Sequence, residues 1–358
     1  MLNNVRRLLL LPGPLTTSHR VKLESFIDFS PREFKFIEII KNIQKKILHI
    51  GNADPSKYSC ILMQGSGTFG NEAVLSCLPK NYNVNVFSNG IYGDRLYDIA
   101  KLYDYNSSFT KLYDNEQITR QVVENNISDN SLVSVVHHET TTGILNDINN
   151  ICKIDNTKVM IDGISSFGGI PIDINELNCD FFVGSSNKCI HGFPGFSFII
   201  IKKELMNDLK NNNRTLSLDL YSQWYELEKF GQFRFTPPVQ IIQACDVALD
   251  EFIEQGGVTA RFEKYNKFNK KIKEELREYG LKEYLDPDVQ GNILTSYYFP
   301  NDNFDYNKYC DDLSKVNIHI YPSSLTKENT FRIGNIGDIN ENELSYIIYY
   351  LKYFIENN

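Results

Sequence analysis

The most informative segment of the chain is Val183-Gly-Ser-Ser-Asn-Lys-Cys-Ile-His-Gly-Phe-Pro-Gly195, which carries one lysine among small residues. Apolar residues lead into Lys188, and a second apolar run at 196–201 follows the glycine- and proline-rich end of the segment. Both runs have the length and composition of buried strands. A lysine with such small neighbours can be held rigidly and partly dehydrated, which lowers the pKa of its amine and makes it nucleophilic.

A carboxylate lies 26 positions before this lysine, at the end of another apolar run. Asp162 closes the run 158–161 and opens the segment Asp162-Gly-Ile-Ser-Ser-Phe-Gly-Gly169. Taken alone, each residue has an ordinary explanation, since many strands end in Asp and most lysines lie on the surface. Taken together, they resemble the pair that binds pyridoxal 5′-phosphate in other proteins, with the lysine as a Schiff base and the carboxylate at the pyridinium nitrogen.

Bulk properties exclude several classes of protein. The chain has 358 residues and a net charge of −8, and its pI near 5.4 argues against a surface that binds nucleic acid. None of its seven cysteines forms a C-x-x-C pair, which predicts reduced thiols and a cytoplasmic location. The leucines at 8–11 follow two arginines as in a signal peptide, but Pro12 breaks that run too early. No apolar run approaches the roughly 20 residues that a membrane span needs.

Strand and helix patterns alternate through the first part of the chain. Apolar runs predict strands at 58–63, 84–87, 108–113, 132–136 and 158–161. Helices are expected to begin at Ser30, at Glu72 and at Asp94; Ser30 is a capping residue before a proline, and Phe34 is expected on the buried face. Such alternation predicts an α/β fold with a largely parallel sheet covered on both faces. Chemistry in such sheets lies at the carboxyl ends of the strands.

The pattern changes after residue 203, where long helices precede a smaller α+β unit. We expect a large domain over 1–255 and a small C-terminal domain over 256–358, joined by a helical segment at about 238–279. Gly256-Gly257 is either a break or a kink in that segment. The N-terminal segment, about 1–20, is expected to pack near the small domain.

Four further motifs suggest a polar site, although each is weak alone. The turn 65–68 has the glycines and hydroxyls of an anion cradle before a helix, yet many such turns only connect elements. Tyr92 lies in a glycine turn, where its ring could stack on a planar ligand or simply pack. Neighbouring histidines in His137-His-Glu-Thr-Thr-Thr-Gly143 point to opposite faces of a strand, so no metal site is expected. Arg332 lies mid-strand, which implies an ion pair or an anionic ligand.

The chain resembles the class V aminotransferases of the fold-type I pyridoxal-phosphate enzymes along nearly its whole length. Eight stretches carry the resemblance, in order: Leu11-Pro-Gly-Pro-Leu-Thr-Thr17, Gln64-Gly-Ser-Gly-Thr-Phe69, Asn89-Gly-Ile-Tyr-Gly93, His138-Glu-Thr-Thr-Thr-Gly-Ile-Leu145, Asp162-Gly-Ile-Ser-Ser-Phe-Gly-Gly169, Ser185-Ser-Asn-Lys188, Phe235-Thr-Pro-Pro238 and Phe331-Arg-Ile-Gly-Asn335. The resemblance implies a large domain with a mostly parallel seven-stranded sheet between helices, and a smaller C-terminal α+β domain.

The resemblance also implies roles for individual residues. Lys188 and Asp162 would be catalytic, the lysine holding pyridoxal phosphate and moving a proton, the aspartate keeping the ring nitrogen protonated. The cofactor phosphate would be held by Ser66, Gly67, Thr68 and Asn187. Asn187 departs from the glutamine that many members carry there, and its reach is shorter.

Four more residues complete the implied site. Tyr92 would stack on the cofactor ring and Thr140 would hydrogen-bond its phenolic oxygen. Thr236 would reach the phosphate in a neighbouring subunit, so the resemblance implies a homodimer with shared active sites. Arg332 would bind the carboxylate of the substrate.

The implied reaction moves the amine of 2-aminoethylphosphonate to pyruvate in a reversible ping-pong cycle, giving phosphonoacetaldehyde and alanine. The phosphonate needs cationic or amide-rich surroundings, for which His19, Arg20 and the loop 12–17 are candidates. Other class V activities stay open, such as serine– or alanine–glyoxylate transamination. A cysteine desulfurase is disfavoured by the lack of a cysteine in a suitable loop. A non-catalytic scaffold is disfavoured by the presence of Lys188, Asp162 and Arg332.

Overall fold

The structure, a computed structural model, describes residues 6–127, 131–321, 326 and 328–357. Over these residues the strands are β1 Leu8–Leu9, β2 Tyr58–Gln64, β3 Asn83–Ser88, β4 Asn106–Lys111, β5 Ser131–Val136, β6 His138–Glu139, β7 Ile144–Leu145, β8 Lys158–Asp162, β9 Phe181–Ser185, β10 Phe196–Lys202, β11 Leu294–Tyr298, β12 Ile318–His319 and β13 Thr330–Gly334.

The helices of the same residues alternate with the strands and then dominate the C-terminal half. They are α1 His19–Glu24, α2 Phe34–Ile50, α3 Gly67–Ser76, α4 Ile91–Leu102, α5 Arg120–Glu124, α6 Ile148–Ile151, α7 Ile174–Leu177, α8 Met206–Leu209, α9 Leu220–Phe230, α10 Val239–Glu254, α11 Gly257–Arg277, α12 Tyr306–Lys315 and α13 Glu341–Glu356. A short 3₁₀ turn at Lys203–Leu205 precedes α8. No helix of the described ranges is long and apolar enough to cross a membrane.

The central sheet has seven strands in the order β2-β10-β9-β8-β5-β3-β4. Strand β10 is antiparallel to both of its neighbours, and every other pair is parallel. Strands β5 and β9 are buried along their full length, as expected of a sheet covered on both faces. The mostly parallel α/β fold predicted from the sequence is therefore confirmed, and the carboxyl ends of β2, β3, β5, β8 and β9 share one edge.

The buried residues form two main hydrophobic cores. The larger core surrounds the central sheet and extends along the chain to Phe252 in α10. The second core takes Leu8 and Leu10 from the N-terminal segment and otherwise begins at Phe268 in α11. Between α10 and α11 the chain breaks at Gly256 and Gly257, both with positive φ, so this point is a break and not a kink. The division into domains at residue 255 stays a prediction, which the separation of the two cores supports.

The N-terminal segment contacts the second core, although its first five residues lie outside the described ranges. Strand β1 pairs in parallel with β12. Arg6 forms ion pairs with Asp338 and with Glu343, the latter at 3.1 Å. Farther along, Gly334 donates a hydrogen bond from its amide to the Leu10 carbonyl at 2.9 Å. These contacts fix residues 8–10 beside the strand that carries Arg332.

Three predicted helix starts are wrong. Helix α2 begins at Phe34 instead of Ser30, because the first helical carbonyl is that of Glu33, which accepts from the Ile37 amide at 3.1 Å. Phe34 is 75% exposed, and Phe36 takes the buried position instead. Helices α3 and α4 begin earlier than predicted, at Gly67 and Ile91, since their glycines enter the first helical turn.

Candidate active site

A cavity of about 190 Å³ lies at the carboxyl edge of the central sheet. It is lined by Ser66, Gly67, Thr68, Asn71, Tyr92, Arg95, Val136, His138, Asp162, Ile164, Ser165, Ser185, Asn187 and Lys188. Seven of the residues singled out in the sequence thus meet in one place, although they come from four separate stretches of the chain. The strand ends and the helix starts that follow them bring these stretches together.

Lys188 follows β9 and extends into the cavity. Its Nζ donates a hydrogen bond to the Pro12 carbonyl at 2.6 Å. Burial lowers the pKa of Lys188 to about 8, and the nearby positive charges of Arg332 and Arg95 act in the same direction. The negative charge of Asp162 opposes this change. A substantial fraction of this amine is therefore neutral, and so nucleophilic, near neutral pH.

Asp162 is the last residue of β8, and its carboxylate is buried. One oxygen accepts from Asn71 Nδ2 at 2.6 Å and the other from the Ile164 amide at 3.0 Å. Burial raises the pKa of Asp162 above its ordinary value, while these two hydrogen bonds act in the opposite direction. A cationic ring nitrogen placed against this carboxylate would satisfy its charge.

The turn 65–68 leads directly into the N-terminus of α3. Ser66 is the N-cap residue, with extended backbone and no capping hydrogen bond from its side chain among the described residues. A Cβ atom on Gly67 would collide with the Ile164 side chain, so only glycine allows this close approach. Arg95 Nη1 donates to Thr68 Oγ1 at 3.2 Å, which adds a positive charge. Amides, hydroxyls and a guanidinium converge here as in a phosphate site.

Tyr92 and Arg95 lie one turn apart at the start of α4. The Arg95 guanidinium carbon is 5.0 Å from the centroid of the Tyr92 ring. Both side chains line the cavity. The aromatic ring therefore stands at the wall of the cavity, as the stacking role predicts, with the cation against it.

Thr140 and Arg332 are connected to each other beside the cavity but are not among its lining residues. Arg332 is only 5% exposed, and its Nη1 donates to the Thr140 carbonyl at 2.8 Å. The Tyr321 ring lies 5.5 Å from the guanidinium carbon. The Nε of Arg332 and the Oγ1 of Thr140 are buried without a hydrogen-bond partner among the described residues. Arg332 thus has no carboxylate partner there, which leaves an anionic ligand as its expected counterpart.

Thr236 lies elsewhere. It is exposed in a surface hollow lined by residues 31–32 and 232–237, and its carbonyl accepts from Gln64 Nε2 at 2.6 Å. The structure therefore does not bring Thr236 to the cavity of its own chain. This position is compatible with the predicted contact to a neighbouring subunit, which stays a prediction.

Seven residues that line the cavity were given no role from the sequence, among them Asn71, Arg95, His138 and Ser185. Asn71 belongs to the first turns of α3, but the predicted start at Glu72 placed it outside the helix. Arg95 follows the quoted glycine turn and was not assigned a role. His138 and its neighbour do point apart, since His137 contacts Ser166 at 2.9 Å while His138 lines the cavity. Nowhere in the described residues do three His, Cys, Asp or Glu side chains form a group that could hold a metal ion.

Buried polar atoms around the cavity test whether a polar ring fits. Asn71 Oδ1, Thr140 Oγ1, Ser185 Oγ and both ring nitrogens of His138 have no hydrogen-bond partner in the described part of the chain. Buried polar groups are normally paired. A ring that brings a phosphate, a hydroxyl, a ring nitrogen and an aldehyde would supply partners for this set, so the residues fit pyridoxal phosphate. The fold and the site together are those of a fold-type I pyridoxal-phosphate enzyme.

Comparisons with known proteins narrow this class. The family profile described as Aminotransferase class-V matches residues 28–321. The chain is 38% identical over 354 residues to the 2-aminoethylphosphonate–pyruvate transaminase of Phocaeicola vulgatus, covering 96% of this chain and 98% of the relative. It is 39% identical over 350 residues to the enzyme of the same name from Bacteroides fragilis, with 95% and 97% covered.

A solved structure shares the fold. Ureidoglycine–glyoxylate aminotransferase from Bacillus subtilis aligns with a TM-score of 0.89 at 19% identity, covering 99% of this chain and 94% of that one. The chain belongs to the class V aminotransferases, and it is a transaminase that uses pyridoxal phosphate.

Proposed function

We propose that the protein transfers the amino group of 2-aminoethylphosphonate to pyruvate, giving phosphonoacetaldehyde and L-alanine in a reversible ping-pong cycle. This choice of substrates rests on sequence identity: the chain is 38% and 39% identical, over almost its full length, to two proteins named 2-aminoethylphosphonate–pyruvate transaminase.

Pyridoxal phosphate, when bound, carries the amino group between the two half-reactions and withdraws electrons from the carbon that loses a proton. The neutral amine of Lys188 holds the cofactor and, once released, takes and returns that proton. The Asp162 carboxylate keeps a positive charge on the ring nitrogen. Asn71 holds this carboxylate at 2.6 Å and so fixes its orientation.

Substrate anions need a cation that is not neutralised by the protein. Arg332 meets this requirement, because its buried guanidinium contacts only a carbonyl and an aromatic ring among the described partners. Arg95, which lines the cavity, provides a second positive charge. Arg20 does not qualify, since it is half exposed in an ion pair with Glu254 at 2.6 Å, and His19 is exposed as well. Arg332 is thus our choice for the acidic group of either substrate.

We further propose a homodimer in which Thr236 reaches the cofactor phosphate of the neighbouring subunit. Exposed apolar side chains support such an interface: Phe235, next to Thr236, is 44% exposed, and Phe34 and Phe26 are 75% and 80% exposed. Phe34 starts α2 close in sequence to Arg32, which lines the same hollow as Thr236. All seven cysteines are free, which supports the predicted cytoplasmic location.

A donor–acceptor panel tests the substrates. Purified protein loaded with pyridoxal phosphate is given 2-aminoethylphosphonate, serine or alanine as donor, with pyruvate or glyoxylate as acceptor, and both products are quantified. We expect alanine and phosphonoacetaldehyde as the fastest pair. Faster turnover with glyoxylate, or no alanine at full cofactor occupancy, would reject the proposed substrates.

A lysine variant tests the chemistry. Lys188→Ala should abolish turnover while the folded protein and its dimer persist. The matched control is Lys203→Ala, because Lys203 also donates to a proline carbonyl, that of Pro55 at 2.7 Å, but on the exposed surface. Full activity in the Lys188 variant would overturn its assignment.

A further inference from the structure

Helix α4, which carries Tyr92, begins without a capping side chain. Its N-cap residue is Gly90, which has no side-chain oxygen to accept hydrogen bonds from the first helical amides. Those amides have no partner within the helix and need one from outside it, since unpaired buried N–H groups are costly. The position of Tyr92 therefore depends on whatever fills this role.

Glu139 and Thr141 supply the missing cap from another part of the chain. One oxygen of the Glu139 carboxylate accepts from the amides of Tyr92 and Gly93, both at 3.2 Å. The Thr141 hydroxyl accepts from the Ile91 amide at 2.9 Å. Three consecutive amides of α4 are thus bound by two side chains that stand about 50 residues away in sequence.

The two capping side chains also hold each other. The second oxygen of Glu139 accepts from the Thr141 amide at 2.9 Å and from the Thr141 hydroxyl at 2.6 Å. All four groups around this carboxylate are donors, and Glu139 is fully buried. It has no ion-pair partner in the described residues, so these four donors hold it, and the partial positive charge of the α4 N-terminus and the charge of Arg332 both act on it.

Gly90 leaves the space that this arrangement needs. A Cβ atom at residue 90 would collide with the Glu139 carboxyl carbon and would come within 2.6 Å of Thr141 Oγ1. The φ of Gly90 is extended, a conformation open to any residue. The glycine is therefore required by the close approach of the carboxylate and not by backbone conformation.

The residue between the two caps is Thr140, which the sequence predicts as a cofactor ligand. Its carbonyl accepts from Arg332, and its hydroxyl is buried without a partner among the described residues. The anchoring of Glu139 and Thr141 on either side fixes the backbone of Thr140. The Glu139 carboxylate therefore helps to position three residues of the site: Tyr92, Thr140 and, through the Thr140 carbonyl, Arg332.

We infer that Glu139 is a positioning residue, which caps α4 together with Thr141 and thereby sets the Tyr92 ring and Thr140 around the cofactor. The inference deepens the proposed function, since it rests on the same cofactor site. Glu139 is not among the residues that line the cavity. It acts through the backbone of residues 91–93 and 140–141.

Glu139→Gln is the sharpest test, because glutamine keeps the shape but replaces one acceptor oxygen with an NH₂ group. That group would face donors in either orientation, so at least one backbone amide loses its partner. We expect pyridoxal phosphate to bind the apoenzyme about tenfold more weakly, because a lost hydrogen bond to a charged group has an effect of this size. We also expect an altered circular dichroism band of the bound cofactor, and a larger loss in kcat than in the KM for pyruvate.

Thr141→Val and Thr141→Ser provide the second pair, should the glutamine variant fail to fold. Valine removes the acceptor for the Ile91 amide, whereas serine keeps it. We expect weaker cofactor binding and an altered circular dichroism band for valine, and rescue of both by serine.

Asn340→Ala is the matched control, since it removes the cap of α13, far from the cavity. It should lower the melting temperature and leave the cofactor band unchanged. Wild-type affinity and an unchanged band in Glu139→Gln would overturn the inference, as would an equal effect of serine and valine at residue 141. Cofactor binding does not depend on which amino donor the enzyme uses. The result could therefore be interpreted even if the proposed substrates were rejected.

Discussion

The pKa of Lys188 gives the sharpest quantitative prediction. Burial lowers this pKa from 10.5 to about 8. At pH 7 about one amine in ten is then neutral, compared with about one in 3,000 for an ordinary lysine, a difference of about 300-fold. Because only the neutral amine attacks an aldehyde, apoenzyme should capture pyridoxal phosphate with a rate that rises with pH and levels off above about pH 8.

Stopped-flow mixing of apoenzyme with saturating pyridoxal phosphate measures this rate through the visible absorption of the bound cofactor. Nα-acetyl-lysine in solution is the control, since it reports the pH dependence of the aldehyde once its own amine titration is taken into account. A corrected midpoint near 10.5 would refute the reasoning, because burial would then leave the amine unaffected.

The same assay checks the direction of each neighbouring charge. The Asp162 carboxylate favours the charged amine and raises its pKa, whereas the guanidinium groups of Arg332 and Arg95 lower it. Asp162→Asn should therefore move the midpoint of capture to lower pH, and Arg332→Gln should move it to higher pH. No shift in either variant would mean that burial alone sets the pKa, and shifts of both variants in one direction would contradict the assigned signs of the two charges.

Three further changes have expected outcomes. Asp162→Asn should lower kcat by about 100-fold or more in the donor half-reaction, because a preorganised charge at the ring nitrogen is lost; single-turnover kinetics measures this, and unchanged kcat would contradict the role. Arg332→Gln should raise the KM for pyruvate by about 30-fold, the effect of truncating a buried charge partner, with steady-state kinetics as the assay. Gly13→Ala should slow cofactor capture in the stopped-flow assay, because the new Cβ would lie 2.6 Å from Lys188 Cδ and 2.8 Å from Nζ. A rate equal to that of the wild type would show that the loop moves to accommodate the Cβ.

The inner strands of the sheet were predictable because burial on both faces requires apolar or small residues along their whole length. The runs at 132–136 and 196–201 are apolar or small throughout, and they form β5 and β10 with every residue of these ranges buried. Since a strand covered on both faces allows little else, the sequence was enough for these inner strands and for the edge at which Lys188 and Asp162 lie. The edge strand β4 is mostly exposed and spans Asn106–Lys111 instead of the predicted 108–113.

Helix starts were harder to predict because capping groups come from distant parts of the chain. The segment 89–93 looks like a turn, since glycines disfavour helix and Gly90 offers no cap. Its helix nevertheless begins at Ile91, because Glu139 and Thr141 satisfy the first amides. A pairing across about 50 residues has no periodicity and no local signal.

The contents of the cavity were predictable only where a motif marked them. The motifs at the strand ends marked Lys188 and Asp162, but the partner of the carboxylate, Asn71, was missed because α3 starts earlier than its composition suggests. The link between Arg332 and the Thr140 carbonyl involves a backbone atom, which no side-chain pattern reveals. Tertiary contacts to carbonyls and amides thus account for most of what the sequence left out.

The proline- and glycine-rich loop that begins at residue 11 joins the two halves of the site. Two of its carbonyls accept hydrogen bonds: that of Pro12 from Lys188 Nζ at 2.6 Å, and that of Gly13 from the Tyr321 hydroxyl at 2.7 Å. Tyr321 in turn lies against Arg332. Gly13 has a φ of +125° that other residues rarely adopt. The loop therefore links Lys188, the amine proposed to carry the cofactor, to Arg332, the cation proposed to bind the substrate, as a transaminase requires if both half-reactions are to use one site.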